Sequence, residues 1–355
     1  MAENDKNRES EVIDETSEET LAYKYSITSY GADFTVQVLV SKLDDEVIFV
    51  PPFQRSYVWN INQASRFIES LLLGLPVPGI FLSREMSTQK LLVIDGQQRL
   101  KSLQFFYKGL FKEQKFRLKG VQENFEGRTY DTLPQEDKLR LDDAIVHATI
   151  VRQEEPSDDD SSIYHIFERL NTSGTLLQPQ EIRACIYHGP FNELLNKLRN
   201  YDDWKSVYGP ASNRLKDEEL ILRFFALYFD FENYKPPMKE FLNLYMGKNK
   251  NFTIQSESVL EQLLKPTIRF LAQSLGRQAF RPERAINAAV CDAVMVGLAR
   301  RLESGPIENM EDFKGEYEKL LNDSDFTDAC RTGTSQEKNV RTRINKSTEY
   351  FGQLK

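Results

Sequence analysis

The stretch from Leu91 to Leu110, LLVIDGQQRLKSLQFFYKGL, constrains this chain more than any other. Leu91 to Ile94 are four apolar residues, which suits a short buried strand. Asp95 and Gly96 interrupt it. Aspartate is a good helix N-cap, and glycine permits a sharp turn. From Gln97 the apolar period lengthens, with Leu100, Leu103, Phe106, Tyr107 and Leu110 at helical spacing. The unit reads strand, tight turn, helix, with Asp95-Gly96-Gln97-Gln98-Arg99 at the corner.

That corner is electrostatically unusual. The first turn of a helix exposes unpaired N–H groups and the positive end of the dipole, so it favours anions. Here it carries Arg99, with no carboxylate beyond Asp95. A cation there costs about 0.3–1 kcal/mol unless an anion sits beside it. Backbone N–H groups plus a guanidinium make a phosphate site. The plainer reading has Asp95 capping the helix and Arg99 solvated.

The flanking sequence expects a small α/β unit around this corner. FTVQVLVSKL (34–43) suits a short helix or a strand, and Val47 to Val50 a strand that stops at Pro51-Pro52. PPFQRSYVWN follows. Its aromatics suit packing under a loop, and Gln54 and Arg55 between them suit a polar wall on a rigid turn. Asn60 or Asn62 caps a helix whose buried face is Ala64, Phe67, Ile68, Leu71 and Leu72, closed by Gly74. Ile80–Leu82 and Ala144–Val151 read as strands. His147, in the second of these, reads as a core or surface residue rather than a ligand.

A polar turn, Asn171-Thr172-Ser173-Gly174, separates a helix SIYHIFERL from one opened by Pro179. Glu154 to Ser162 form an acidic loop, read as solvated. Cys185 and His188 stand three apart with no second pair, so a metal site there is not expected. Beyond Phe191 the pattern is helical, with candidates over 191–200, 216–230, 237–247, 256–275, 283–303, 309–321 and 336–350. Alanines at 285, 288, 289 and 293 allow close helix packing, and a bundle is expected. Arg331 to Lys346 is locally basic and reads as a solvated helix face.

Of the formal net charge of −8, residues 1–20 hold eight acids and two bases, a net −6. That tail, short of apolar residues, is expected to be disordered. The remaining −2 permits a nucleic-acid partner but not a strongly basic DNA-binding domain. No apolar run spans a bilayer, and no apolar leader opens the chain. Three scattered cysteines point to a reducing, cytoplasmic setting. The domain expectation is a tail over 1–22, an α/β domain over 23–155 and a helical domain over 156–355, an α+β fold class.

PFQRSYVW (52–59), VIDGQQRL (93–100) and FERLNTSGTLLQPQEIR (167–183) occur in that order. Together they resemble the N-terminal domain of GmrSD-type modification-dependent restriction enzymes over roughly residues 30 to 230. The resemblance implies a ParB/sulfiredoxin-like fold, in which the turn and helix start bind nucleotide or phosphate. It also implies NTP binding or hydrolysis in defence against phage or foreign DNA. Carried over, the motif residues are Gln54, Arg55, Asp95, Gly96, Gln97, Gln98, Arg99, Asn171 and Gly174. Many relatives add a His-Asn-His nuclease. This chain has three histidines, all before residue 190, and no such motif, so a partner nuclease is implied.

The expected chemistry has Gln97, Gln98 and Arg99 holding phosphate oxygens, joined by Gln54, Gly96 and Asn171, with Arg55 stabilising developing charge. Asp95 holds a Mg2+ ion or orients the attacking water, and Gln97 or Gln98 positions that water. Gly247-Lys248 is followed by Asn249, so no P-loop is present and any NTPase is of another kind. Two alternatives use the same cradle: a module gripping DNA backbone phosphate, and a metal-dependent nickase built on Asp95 and Glu181.

Overall fold

The computed structural model describes residues 12–13, 26–50, 57–85, 88–155, 161–170 and 178–355. They are mixed α+β, divided into two compact units over 25–176 and 177–355, the latter with the N-terminal segment.

In the first unit, β2 (Ser26–Thr35), β3 (Ile48–Phe49), β4 (Ile80–Arg84), β5 (Leu91–Asp95) and β8 (Ile145–Glu155) form one sheet in the order β2-β8-β4-β5-β3. β2 runs antiparallel to β8, β8 parallel to β4, β4 antiparallel to β5, and β5 parallel to β3. The stretch FTVQVLVSKL divides in two. Its first two residues end β2, and α1 (Val36–Asp44) follows, with the Thr35 hydroxyl accepting from the Val38 N–H at 3.4 Å. Asn60 caps α2 (Ile61–Leu72) in a reciprocal box with Gln63. Then come α3 (Gln97–Lys108), the short hairpin β6 (Leu110–Phe111) and β7 (Gln114–Lys115), α4 (Gln135–Asp142) and α5 (Ser161–Leu170).

The core of this unit follows from strand and helix periods. Val36 and Leu39 of α1, Ile68 and Leu71 of α2, and Leu100, Leu103 and Phe106 of α3 are buried. They lie in one cluster with Ile80, Leu82, Val93, Val146, Ala148 and Ile150 of the sheet. The sheet residues alternate, which sends their neighbours Asp33 and His147 to the other face.

The second unit is helical. Its elements are α6 (Pro179–Ile186), α7 (Pro190–Arg199), α8 (Asp202–Tyr208), α9 (Lys216–Phe229), α10 (Met238–Asn249), α11 (Glu257–Ser274), α12 (Ala288–Leu302), α13 (Met310–Asn322), α14 (Ser324–Ala329) and α15 (Glu337–Gly352). Residues 288–299 of α12 are buried on all sides, as a central bundle helix requires. The Ser347 hydroxyl of α15 donates to the Ala293 carbonyl at 2.7 Å, a close approach that alanine permits. The helix expected over 283–303 begins only at Ala288. Before it, β9 (Ile286–Asn287) pairs in parallel with β1 (Val12–Ile13), a strand inside the stretch expected to be disordered. Helices α8 and α14 were not anticipated; they are too short to show a full apolar period.

Candidate functional site

The strand β5 ends at Asp95, Gly96 turns the chain and α3 begins at Gln97. Gly96 has φ +101°, in the left-handed region that favours glycine. A Cβ on Gly96 would stand 2.5 Å from the Ile80 Cγ2 of β4. Both conformation and space therefore require glycine here, and β4 sets the limit.

Gly96, not Asp95, occupies the N-cap position, and no side chain caps α3. This corrects the capping role expected for Asp95. Its carboxylate instead pairs with Arg99 one turn on, Arg99 Nη2 to Asp95 Oδ2 at 2.7 Å. The same Nη2 donates to the Gly79 carbonyl at 2.9 Å. The Arg99 side chain is only 16% exposed, and its buried Nε has no hydrogen-bond partner. The guanidinium is thus aimed by two acceptors on one nitrogen, while a second nitrogen points to none. The Asp95 side chain is 45% exposed.

Gln98 has a different task from the one expected. Its amide oxygen accepts from the Val58 and Trp59 N–H groups, at 3.0 and 3.2 Å. That oxygen latches the end of the PFQRSYVW stretch to α3 rather than positioning water. The same seam holds Tyr57, whose hydroxyl lies 2.8 Å from Ser102 Oγ; Ser102 in turn donates to the Gln98 carbonyl at 2.7 Å. Burial pushes the Tyr57 hydroxyl above its usual range, so it stays protonated as the donor. Gln54, Arg55, Asn171 and Gly174 lie outside the described residues.

A second polar pair sits at this end of the sheet. His147 Nδ1 is 2.5 Å from Asp33 Oδ1, across the register pair of β2 and β8. It was not foreseen, because the partners stand 114 residues apart. Gly79 lies between this pair and Arg99. Its carbonyl takes the guanidinium, and a Cβ on it would come within 2.9 Å of the His147 carbonyl.

Glu181 does not suit the nickase role. Its carboxylate accepts from the Gln178 N–H at 2.6 Å and pairs with Arg214 at 2.8 Å. It caps α6 and anchors it to the following loop. The neighbouring Gln180 and Arg183 are equally engaged, with Glu218 at 3.1 Å, and with Asn243 and Glu219 at 2.8 Å each. The Gln-Glu-Ile-Arg end of the third motif is therefore a structural knot of the helical unit. Among the described residues, no group of three or more His, Cys, Asp or Glu side chains is placed to hold a metal.

Residues 36–188 match the family model of the GmrSD restriction endonuclease N-terminal domain. The chain therefore carries a GmrSD N-terminal domain. The match takes in the whole corner and reaches through α6, a narrower span than the 30 to 230 expected. No curated protein matches the chain. The GmrSD N-terminal domain assigns the chain a part in a restriction-like defence system. No described helix is long and apolar enough to cross a membrane.

Proposed function

We propose that the corner of the GmrSD N-terminal domain binds the phosphates of a nucleoside triphosphate, and hydrolyses it, within that defence system. The carrying observation is Arg99. Its guanidinium is held in place by Asp95 and Gly79 while its buried Nε lacks an acceptor. A buried unsatisfied N–H costs about 1–3 kcal/mol, and a phosphate oxygen relieves it with a charge-assisted bond. The uncapped start of α3 adds its dipole to the same place.

In this reading Gly96 lets phosphate approach the backbone, and Gln97 and Arg99 at the first turn hold its oxygens. Gln98 keeps the segment carrying Gln54 and Arg55 against α3, and Asn171 joins the site from the third motif. Asp95 fits a Mg2+ ion that keeps its waters and nucleotide oxygens, since one carboxylate suffices for that mode. The ion would neutralise charge on the phosphates. In the reaction water attacks the γ-phosphorus as the β–γ bridging bond breaks, giving nucleoside diphosphate and inorganic phosphate; Asp95 orients that water. Nucleic acid or a nuclease subunit is the fitting partner for a domain that lacks a His-Asn-His motif.

Calorimetric titration with ATP, GTP, CTP and UTP, with magnesium, tests this on the wild type and on Arg99→Ala. Saturable binding to the wild type that disappears in a folded Arg99→Ala supports it. Undiminished binding by Arg99→Ala, or no binding of any nucleotide to the wild type, overturns it. Phosphate release then separates hydrolysis from binding alone.

A further inference from the structure

The helical unit contains a cavity of about 840 Å³ away from the Asp95 corner, lined among others by Ala285, Asn287, Val290, Leu321, Phe326 and Cys330. Its size is that of a small-ligand or peptide-anchor site. Its two arginines, Arg284 and Arg331, are matched by Glu283 and Glu318, so the lining is electrically balanced. Charge therefore does not select an occupant, and the apolar wall does.

One segment of the chain already reaches this wall. β1, Val12–Ile13, pairs in parallel with β9, Val12 opposite Ile286 and Ile13 opposite Asn287. Asn287 is itself a lining residue, and Ala285 lies just before β9. In residues 1–20, otherwise acidic and polar, Val12 and Ile13 are the only adjacent β-branched apolar pair. The one apolar pair of the tail is thus the pair brought to the cavity. Strand addition of this kind takes affinity from main-chain hydrogen bonds and selectivity from side-chain pockets.

From this we propose that the cavity beside β9 is a peptide-docking site whose occupant is the chain's own N-terminal segment, residues 8–16, anchored by Val12 and Ile13. The surrounding acidic residues keep the segment soluble when it is released. Tethering makes docking intramolecular, so the segment outcompetes a free peptide of the same sequence. The assignment stands apart from the nucleotide reading, since it involves a different unit.

The full-length wild type and the full-length double variant Val12→Asp/Ile13→Asp test it, with two readouts. The first is alkylation of Cys330, which lines the cavity; Cys185 and Cys291, buried elsewhere, are internal controls. The variant should label Cys330 about tenfold faster, with the control thiols unchanged. The second is titration with a synthetic peptide of residues 8–16. It should bind the variant saturably and the wild type about tenfold more weakly. A peptide carrying the two aspartates should bind neither. Equal Cys330 labelling in the two chains, or equal affinity of the variant for the two peptides, overturns the proposal.

Discussion

Arg99 shows how one side chain is prepared by its neighbours. Asp95 and the Gly79 carbonyl hold one nitrogen and leave Nε without an acceptor. Arg99→Lys keeps the charge but offers a compact ammonium in place of the planar fork. It should weaken nucleotide binding by about tenfold or more, for a lost bond of about 1.5–3 kcal/mol, as calorimetry will report. His147 is the converse case. The pair with Asp33 is largely exposed, with side chains 74% and 59% accessible. Such pairs contribute about 0–1 kcal/mol. His147→Ala should therefore leave the melting temperature within a degree or two of wild type, and any fall in phosphate release would be chemical in origin. Burial pushes the Glu218 carboxyl up to about 7. Between its ordinary value near 4.5 and 7 the folded chain holds a proton that the unfolded chain has lost. Stability therefore falls as pH rises through that window and levels off above it. Glu218→Gln keeps the Gln180 partner without ionising. Its melting temperature should decline less between pH 5 and pH 7.5, by the equivalent of at most about 3 kcal/mol. Parallel pH curves would refute this.

At the scale of elements, the β5–α3 corner is a joint under two constraints. Gly96 needs a left-handed φ and has Ile80 against it. Gly96→Ala should destabilise the α/β unit by about 1–3 kcal/mol and displace α3 from β4. Gly96→Ala combined with Ile80→Val should recover part of the loss, because the nearer atom, Cγ2, has more room to yield. Thermal denaturation of the two variants checks this, and no recovery would show that the backbone strain dominates. Gln98 latches Val58 and Trp59 to the same helix. Removing it strands two backbone N–H groups and affects how the PFQRSYVW stretch is held, although Gln98 itself holds no phosphate in the proposed site.

For the whole molecule, the division into two units means two cores. The helical unit rests on a buried triad. Asp292 of α12 accepts from Arg223 of α9 at 2.7 and 3.0 Å and from Arg343 of α15 at 2.9 Å, all three at most 2% exposed. Asp292→Ala leaves two guanidinium groups buried without their shared carboxylate, a loss of about 3–5 kcal/mol. Amide hydrogen exchange should show the lost protection within 177–355 while 25–176 keeps its own. Loss spread evenly over both would mean that the two units unfold as one.

The sequence by itself determined the corner and most helices, because both are local. The change of apolar period at Gln97 marks β5 and α3, and glycine and proline mark their ends, without reference to distant residues. What lay beyond it was non-local. The pairing of β2 with β8, and so the Asp33–His147 pair, joins residues more than a hundred positions apart. The left-handed Gly96 is required by Ile80, a residue of another strand. Whether Asp95 caps α3 or aims Arg99 depends on where the Gly79 carbonyl falls. Gln98 and Glu181 read as reactive groups in the sequence, since their types permit it. Only the tertiary structure shows their acceptor oxygens filled by N–H groups brought to them by folding.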